Sequence, residues 1–134
     1  FLLNRSSDLS EACLANTESE VLEIFFNILH QDVRRAFPLL RERGIGTIAK
    51  IPLDSGWLTG RYDRHRRFTG IRSRWSPEDI ALRAELVARL RGLIPGDEPL
   101  ASIALAYVLS YPEVRARIKS AFVVVISIIF SYRM

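Results

Sequence analysis

The chain has 134 residues, of which 49% are apolar and 25% are charged. This is the composition of a globular domain with a real core, and it excludes an intrinsically disordered chain. Nineteen basic side chains against fifteen acidic ones give a net charge of +4, which favours anionic ligands without requiring a nucleic acid. One cysteine and two histidines leave no internal disulfide and no zinc-ligand set, so we expect no metal site and a reducing, cytoplasmic compartment.

Two early segments predict a helix and then a buried strand. Ser7 or Asp8 caps a short helix that runs to about Ala15. Residues 20–29, EVLEIFFNIL, are apolar and aromatic on both faces. This pattern predicts a strand that is buried on two sides rather than a surface helix.

A second helix and a second strand follow. Asp32 opens a helix over DVRRAFPLLRER, whose apolar residues recur at helical spacing. Pro38 shortens or kinks this helix, and Gly44 ends it as the left-handed residue past its last turn. The short, β-branched segment 44–53 predicts the next strand, which Pro52 terminates because proline cannot donate to a strand ladder.

An open loop comes directly after this strand. Residues 52–63, PLDSGWLTGRYD, combine a proline, small residues and two glycines, and this composition leaves the backbone accessible to a bound anion or cofactor. Taken alone, the pattern is also typical of a tight exit from a strand. Residues 61–75 carry six arginines without periodicity, which predicts a long exposed loop.

The remaining segments predict two helices and a last strand. Ser76 caps a helix that has Pro77 at its first position and two acidic residues in its first turn. The apolar run ASIALAYVLSY is a second helix, stopped by Pro112, and EVRARI is a candidate strand. The alternating order of strands and helices predicts parallel pairing and an α/β architecture. The buried stripe of the first helix is Ile80, Ala84, Val87, Leu90 and Ile94.

Four separate blocks of the sequence resemble the C-terminal half of an aldo/keto reductase. They are FNIL, LRERGIGTIAKIPLDSGWLTGRYD, RSRWSPED and IALAYVLSYPEVRARI, and their order and spacing carry a resemblance from about Glu20 to Ile118. The family fold is a parallel barrel of eight strands ringed by helices, and this chain resembles the part from about the fifth or sixth strand onward. The resemblance therefore implies an α/β fold, a partial TIM (β/α)8 barrel of roughly the last three to four strands with their helices.

The resemblance implies a nicotinamide cofactor, usually NADPH, and a small aldehyde, ketone or sugar as substrate. In the family, the loop after the seventh strand lies along the nicotinamide and the pyrophosphate, where main-chain N–H groups face the phosphates. Arg61 and Arg72, with Arg74 as an alternative to the second, match basic residues of that region. Glu23 stands where the family generally has a glutamine that holds the nicotinamide carboxamide. The cofactor-binding residues implied are Glu23, Lys50, Pro52, Leu53, Asp54, Ser55, Gly56, Gly60, Arg61 and Arg72.

The chain also departs from the family pattern. Lys50 replaces an aromatic residue that stacks on the nicotinamide in many members, and the element that holds the adenosine end of NADPH is missing after Ile118. The family's catalytic Asp, Tyr, Lys and His come from its second to fourth strands, so we place no catalytic residue here and expect an inactive fragment. Glu23 would be costly if buried unpaired; it faces the barrel mouth or pairs with Lys50, and we predict the pairing.

Two other functions are compatible with the same sequence, and its last segment is unusual. A non-enzymatic module would bind nucleic acid or another polyanion through the Arg-rich loop 61–74, whose aromatic residues would stack on bases. A regulatory relative would bind the cofactor without turnover.

We divide the chain into a barrel part, residues 1–118, and an atypical apolar tail, residues 119–134, which is shorter than a membrane span. We expect an aberrant end there, with an extra strand or a membrane-surface contact as alternatives.

Overall fold

The computed structural model describes residues 20–114 and the backbone of residues 117–118 and 121–122. The helix expected near residues 7–15 lies outside the described residues. The chain divides into two compact units. The sheet unit is the described part up to Pro52 and from Leu105 onward, and the loop unit is Leu53–Ala104.

Short strands and helices alternate along the chain. The strands are β1 (Val21–Phe25), β2 (Gly46–Lys50), β3 (Arg117–Ile118) and β4 (Ala121–Phe122). The α-helices are α1 (Phe37–Glu42), α2 (Pro77–Leu93) and α3 (Leu100–Leu109), and 3-10 helices cover Asp32–Ala36, Asp54–Thr59 and Gly70–Arg74. The exposed loop predicted over 61–75 therefore holds one short helical segment at its end.

The sheet unit is built on one parallel strand pair. The register of β1 and β2 runs from Val21 opposite Gly46 to Phe25 opposite Lys50, which confirms the predicted parallel pairing. The prediction of a strand over 20–29 that is buried on two sides was wrong in extent and in burial. Of the five residues of β1 only Ile24 is buried, while Phe25 is 39% exposed, because alternate side chains of a strand point to opposite faces.

The helix predicted from Asp32 exists, but its first half is a 3-10 helix and only Phe37–Glu42 is α-helical. Pro38 is the second residue of α1, where its missing N–H breaks no intrahelical hydrogen bond. The proline thus shortens the α-helix, as predicted. Gly44 follows with a φ of +66°, which confirms the predicted left-handed helix end.

The core of the sheet unit is rich in aromatic residues. The ring of Phe26, which is fully buried, lies 5.3 Å from that of Phe37 and 5.0 Å from that of Tyr111. The Tyr111 hydroxyl donates to the Tyr107 hydroxyl at 3.0 Å. Burial raises the pKa of Tyr107 from 10.0 to about 12. The buried core consists of Ile24, Phe26, Val33, Ala36, Phe37, Leu40, Ala49, Val108 and Val114.

Glu113, which follows α3 in the sheet unit, contacts both α1 and β2. Glu113, with a side chain that is 3% exposed, forms an ion pair with Arg41 of α1. Its carbonyl oxygen accepts a hydrogen bond from the Thr47 hydroxyl at 2.8 Å. The Arg41 guanidinium, which donates through both Nε and Nη2, satisfies the carboxylate, which would be costly to bury without a partner.

The main helix of the loop unit starts as the sequence predicts. Ser76 and Asp79 form a reciprocal capping box, and Pro77 occupies the first turn of α2. The predicted stripe is confirmed at Ile80 and Val87, which are buried, whereas Ala84, Leu90 and Ile94 are only partly buried. The second predicted helix is confirmed as α3.

The last strand pair differs from the predicted parallel arrangement. β3 pairs antiparallel with β4, with Arg117 opposite Phe122 and Ile118 opposite Ala121. The two strands are separated by too few residues for a crossover connection, so only the antiparallel arrangement is possible. Among the described residues, no helix has the length and apolar character needed to cross a membrane, and no group of His, Cys, Asp and Glu could hold a metal ion.

Candidate functional site

The turn after β1 fixes the point at which the loop leaves β2. Asn27 is fully buried, and its Nδ2 donates to the carbonyl oxygen of Ile51 at 3.0 Å. Its Oδ1 accepts from the backbone N–H groups of Leu29 at 2.9 Å and His30 at 3.0 Å. One side chain therefore holds both the turn and the first carbonyl beyond β2. Local pattern in the sequence carries no signal for this bond between distant residues.

Glu23 and Lys50 form the predicted pair on one face of the sheet. Glu23 lies opposite Ile48, so Lys50 is its diagonal neighbour on the same face. The Lys50 Nζ lies 3.6 Å from Glu23 Oε2, and the two side chains are 43% and 51% exposed. An ion pair this exposed stabilises by at most about 1 kcal/mol. Both groups thus stay accessible to a ligand.

The loop beyond β2 has an unusual concentration of left-handed backbone. Ile51, Asp54 and Ser55 have φ values of +56°, +46° and +57°, although none of them is glycine. Gly56 follows at +100° and Gly60 at +73°. Non-glycine residues held in this region cost on the order of 1–3 kcal/mol each, and such strain clusters at ligand sites. The surrounding contacts must therefore offset several kcal/mol to maintain this conformation.

Two backbone hydrogen bonds close the loop on itself. The N–H groups of Gly56 and Leu58 both donate to the carbonyl oxygen of Leu53, at 2.9 and 3.2 Å. The Thr59 hydroxyl donates to the carbonyl oxygen of Gly56 at 2.6 Å. The segment is thus a compact turn of fixed shape rather than an extended connection.

Gly56 and Arg72 meet through Tyr62. A Cβ atom added at Gly56 would lie 2.9 Å from the Tyr62 hydroxyl oxygen, so no other residue fits there without displacing the ring. The same hydroxyl accepts a hydrogen bond from Arg72 Nη1 at 3.1 Å. The structure thereby brings together two residues of the implied cofactor set that lie far apart in sequence. Tyr62 joins them, and sequence analysis did not assign it to the site.

Asp54 is buried against α2. The residue is 2% exposed, and its carboxylate forms an ion pair with Arg83, whose side chain is 24% exposed. The Arg83 guanidinium also stacks over the ring of Trp75, with its Cζ 5.4 Å from the ring centroid. The resemblance implied that Asp54 faces the cofactor, but its carboxylate is engaged with the protein.

Four aromatic rings form a cluster that supports the loop from within the loop unit. Trp57 is fully buried, and its ring lies 5.3 Å from that of Tyr62 and 5.8 Å from those of Phe68 and Trp75. Its indole Nε1 is buried and has no hydrogen-bond partner among the described residues. The sequence suggested Tyr62, Phe68 and the adjacent Trp75 as base-stacking groups of the Arg-rich loop. In the structure they pack against one another and Trp57.

The other residues of the cofactor-binding set implied by the resemblance differ in their exposure to solvent. Pro52 is buried, Leu53 and Ser55 are partly buried, and Gly60 and Arg61 are exposed. A Cβ atom at Gly60 would meet nothing within 4 Å, so this glycine is required by its φ rather than by crowding. The exposed end of the turn therefore carries the glycine and basic residue that the resemblance singled out.

An open cleft of about 780 Å³ lies beside this end of the turn. One wall contains Gly60, Tyr62 and Arg64, and the α2 wall contains small and apolar side chains such as Ala84 and Val87. Its polar lining mixes both charges, because Arg64 and Arg91 lie alongside Asp63, Glu85, Asp97 and Glu98. Arg91 also donates to the carbonyl oxygens of Gly96 and Glu98 beyond the end of α2. The cleft has no net preference for an anion.

A comparison with protein families decides the relationship. The model of the aldo/keto reductase family matches residues 5–130. The chain belongs to the aldo/keto reductase family. Neither the curated proteins nor the solved structures gave a match. The match extends beyond residues 20–118, on which the sequence resemblance depended.

Family membership supports an oxidoreductase and a fold of the TIM-barrel type. The parallel pair β1–β2 and the helices around it are consistent with part of such a barrel. Aldo/keto reductases generally use NAD(P)H to reduce carbonyl compounds. The loop described above leaves the carboxyl end of a parallel strand, which is where barrel enzymes gather their active-site residues.

Proposed function

We propose that the chain is part of an NADPH-dependent carbonyl reductase or alcohol dehydrogenase of the aldo/keto reductase type. It would correspond to the last three to four barrel strands and would carry the pyrophosphate side of the cofactor site. We place no catalytic residue in it, because none of its tyrosines matches the family's general acid by position. A small aldehyde, ketone or sugar would be the substrate, and the cytoplasm the location, in keeping with a single cysteine.

One observation carries this proposal. A turn with left-handed backbone at Asp54, Ser55, Gly56 and Gly60 directly follows a parallel strand. Left-handed backbone with small residues lets a phosphate approach the chain closely, and the N–H groups of Gly56, Leu58 and Gly60 hold the turn by donating within it. The residues present therefore fit a dinucleotide pyrophosphate.

The basic residues around the turn supply the matching charge. Arg72 is held by the Tyr62 hydroxyl, which uses one of the five N–H donors of its guanidinium and leaves the others for a ligand. Arg61 follows Gly60 on the exposed end of the turn. Their guanidinium groups would bind phosphate oxygens through charge-assisted hydrogen bonds.

By the family resemblance, Glu23 and Lys50 would contact the nicotinamide. Glu23 takes the position of the family's glutamine and offers an acceptor to the carboxamide N–H₂ group. Lys50 takes the position of the stacking aromatic residue, where its aliphatic stem could cover one face of the ring. When bound, the cofactor supplies the hydride, and these residues orient the ring.

Titration of the full 134-residue chain with NADPH and NADH, followed by ligand fluorescence, tests the proposal. We expect saturable binding that Arg72→Ala weakens. A parallel titration with single-stranded DNA at several salt concentrations distinguishes the polyanion-binding alternative, whose affinity would fall steeply with salt. Tight, salt-sensitive DNA binding without any NADPH binding would overturn the proposal. Edge-to-face packing of Tyr62, Phe68 and Trp75 against one another and Trp57 favours the cofactor proposal over base stacking.

A further inference from the structure

The ion pair between Asp54 and Arg83 is an unexpected feature of a loop that would bind phosphates. Asp54 lies in the left-handed turn itself, with a φ of +46°, directly before Ser55 and Gly56. A carboxylate this close to a pyrophosphate would repel it. Its side chain is 3% exposed, so it also cannot be solvated by bulk water.

Arg83 removes both difficulties. Arg83 lies on α2. Its Nη1 pairs with the Asp54 carboxylate, and the plane of its guanidinium stacks over the Trp75 ring. Trp75 in turn packs against Trp57, the fully buried residue that follows Gly56. Two contacts therefore fix the strained turn. Asp54, at its start, pairs with Arg83, and Trp57, at its end, packs against Trp75.

We propose that Asp54 and Arg83 are positioning residues for the cofactor loop. The Asp54 carboxylate binds Arg83 rather than the cofactor, and the pair holds residues 54–56 in the left-handed conformation of the compact turn. This inference rests on the proposed function for the identity of the ligand. The positioning itself is measurable without any ligand.

The chain offers a closely matched control. Arg89 lies on the same helix and forms an ion pair with Glu85 at 2.5 Å, but these side chains are 74% and 56% exposed. Arg83→Met and Arg89→Met therefore each remove one paired arginine from α2, and only the first removes an arginine that pairs with a buried carboxylate. Asp54→Asn removes the charge and retains a residue type that tolerates positive φ.

Limited trypsin digestion reports on the loop, because six arginines between residues 61 and 74 provide cleavage sites. Cleavage in this segment is compared with cleavage after Arg34, Arg35, Arg41 and Arg43 of the sheet unit by mass spectrometry. NADPH and inorganic pyrophosphate titrations are run on the same variants. The set comprises the wild type, Arg83→Met, Asp54→Asn, the double variant Asp54→Asn/Arg83→Met, and Arg89→Met.

We expect Arg83→Met to accelerate cleavage between residues 61 and 74 by about tenfold and to weaken NADPH binding by a similar factor. Arg89→Met should change neither by more than about twofold. The double variant should recover much of the loss seen with Arg83→Met, because the buried negative charge is removed together with the positive charge of Arg83.

Two results would overturn the inference. One is equal cleavage of Arg83→Met and Arg89→Met between residues 61 and 74. The other is a rise in cleavage that is as large in the sheet unit, which would indicate general destabilisation. If the wild type binds neither NADPH nor pyrophosphate while Arg83→Met still loosens the loop selectively, the positioning role is supported and the proposed cofactor function fails.

Discussion

The sheet unit and the loop unit maintain their structures by different means. The sheet unit combines a parallel strand pair with a core of nine buried residues within its described part, together with packed aromatic rings and the buried ion pair of Arg41 and Glu113. The loop unit also has an aromatic cluster and a buried ion pair, but it differs in the strained turn at Asp54, Ser55 and Gly56. Regular backbone is stabilised by hydrogen bonds that repeat along the chain, whereas a left-handed turn depends on particular side chains around it. A substitution should therefore affect the two units differently.

The largest expected effect comes from the centre of the aromatic cluster. Trp57→Ala removes a fully buried ring that contacts three others and should lower the free energy of unfolding by about 3–5 kcal/mol. Urea denaturation followed by circular dichroism measures this. Leu93→Ala is the control, because Leu93 is 81% exposed and its truncation should change stability by less than about 0.5 kcal/mol. Equal unfolding midpoints for the two variants would show that the cluster does not stabilise the unit.

The difference between the units also explains what sequence could predict. Hydrophobic spacing and end signals such as Gly44, Ser76 and Pro112 are local, and the elements they mark exist in the structure. The strand over 20–29 was predicted too long, because an apolar segment does not distinguish a strand from the buried turn that follows it. The short 3-10 segments have no periodicity of their own and were not predicted.

The residues proposed for the candidate site form a pattern in the sequence, whereas the contacts that hold them do not. Gly56, Gly60 and the basic residues near them are visible as a pattern, and family resemblance gives them a meaning. The partners that determine their geometry are distant in sequence: Asn27 binds the carbonyl of Ile51, and Arg83 binds Asp54. Nothing in the local sequence indicates these contacts, because each depends on how separate segments fold together.

A second, smaller effect should follow from adding one methyl group to the turn. Gly56→Ala places a Cβ 2.9 Å from the Tyr62 hydroxyl and imposes a φ of +100° on an alanine. We expect a cost of about 1–3 kcal/mol in the free energy of unfolding and loss of measurable NADPH binding. Gly92→Ala is the matched control: it lies inside α2 with no atom within 4 Å of the added Cβ. That variant should gain about 0.5–1 kcal/mol. Unchanged NADPH binding in Gly56→Ala would contradict the proposed approach of a phosphate to this backbone.

Removing a single oxygen atom tests the link between Tyr62 and Arg72. Tyr62→Phe keeps the ring in the cluster and deletes the acceptor of the 3.1 Å hydrogen bond from Arg72 Nη1. We expect NADPH affinity to fall by roughly five- to tenfold, equivalent to about 1–1.4 kcal/mol, with little change in the unfolding midpoint. Tyr111→Phe, which loses a hydroxyl pair in the sheet unit, serves as the control. A large drop in stability without a change in affinity would assign Tyr62 to packing alone.

Substitutions in the exposed pair of Glu23 and Lys50 should have smaller effects on stability and on NADPH affinity. Glu23→Gln breaks an ion pair between side chains that are about half exposed, so the free energy of unfolding should change by less than about 1 kcal/mol. NADPH should bind slightly more tightly, because a carboxylate near an anionic ligand is removed and an amide donor is gained. Lys50→Gln should shift affinity in the opposite direction. Weaker NADPH binding by Glu23→Gln, measured by fluorescence titration, would argue against placing the nicotinamide there.

The smallest effect at neutral pH concerns Tyr107, whose pKa is raised from 10.0 to about 12, mainly by burial. An unfolded chain releases this proton near pH 10, while the folded chain keeps it until about pH 12, so between these values the folded state binds more protons. The contribution of Tyr107 to the free energy of unfolding is therefore complete below pH 10 and is lost as the pH rises towards 12. Absorbance of tyrosinate should show a late titration step that Tyr107→Phe removes, and the unfolding midpoint of Tyr107→Phe should depend less on pH in that window. A wild-type titration complete by pH 11 would show that water reaches this hydroxyl and that the aromatic core of the sheet unit is looser than its ring contacts indicate.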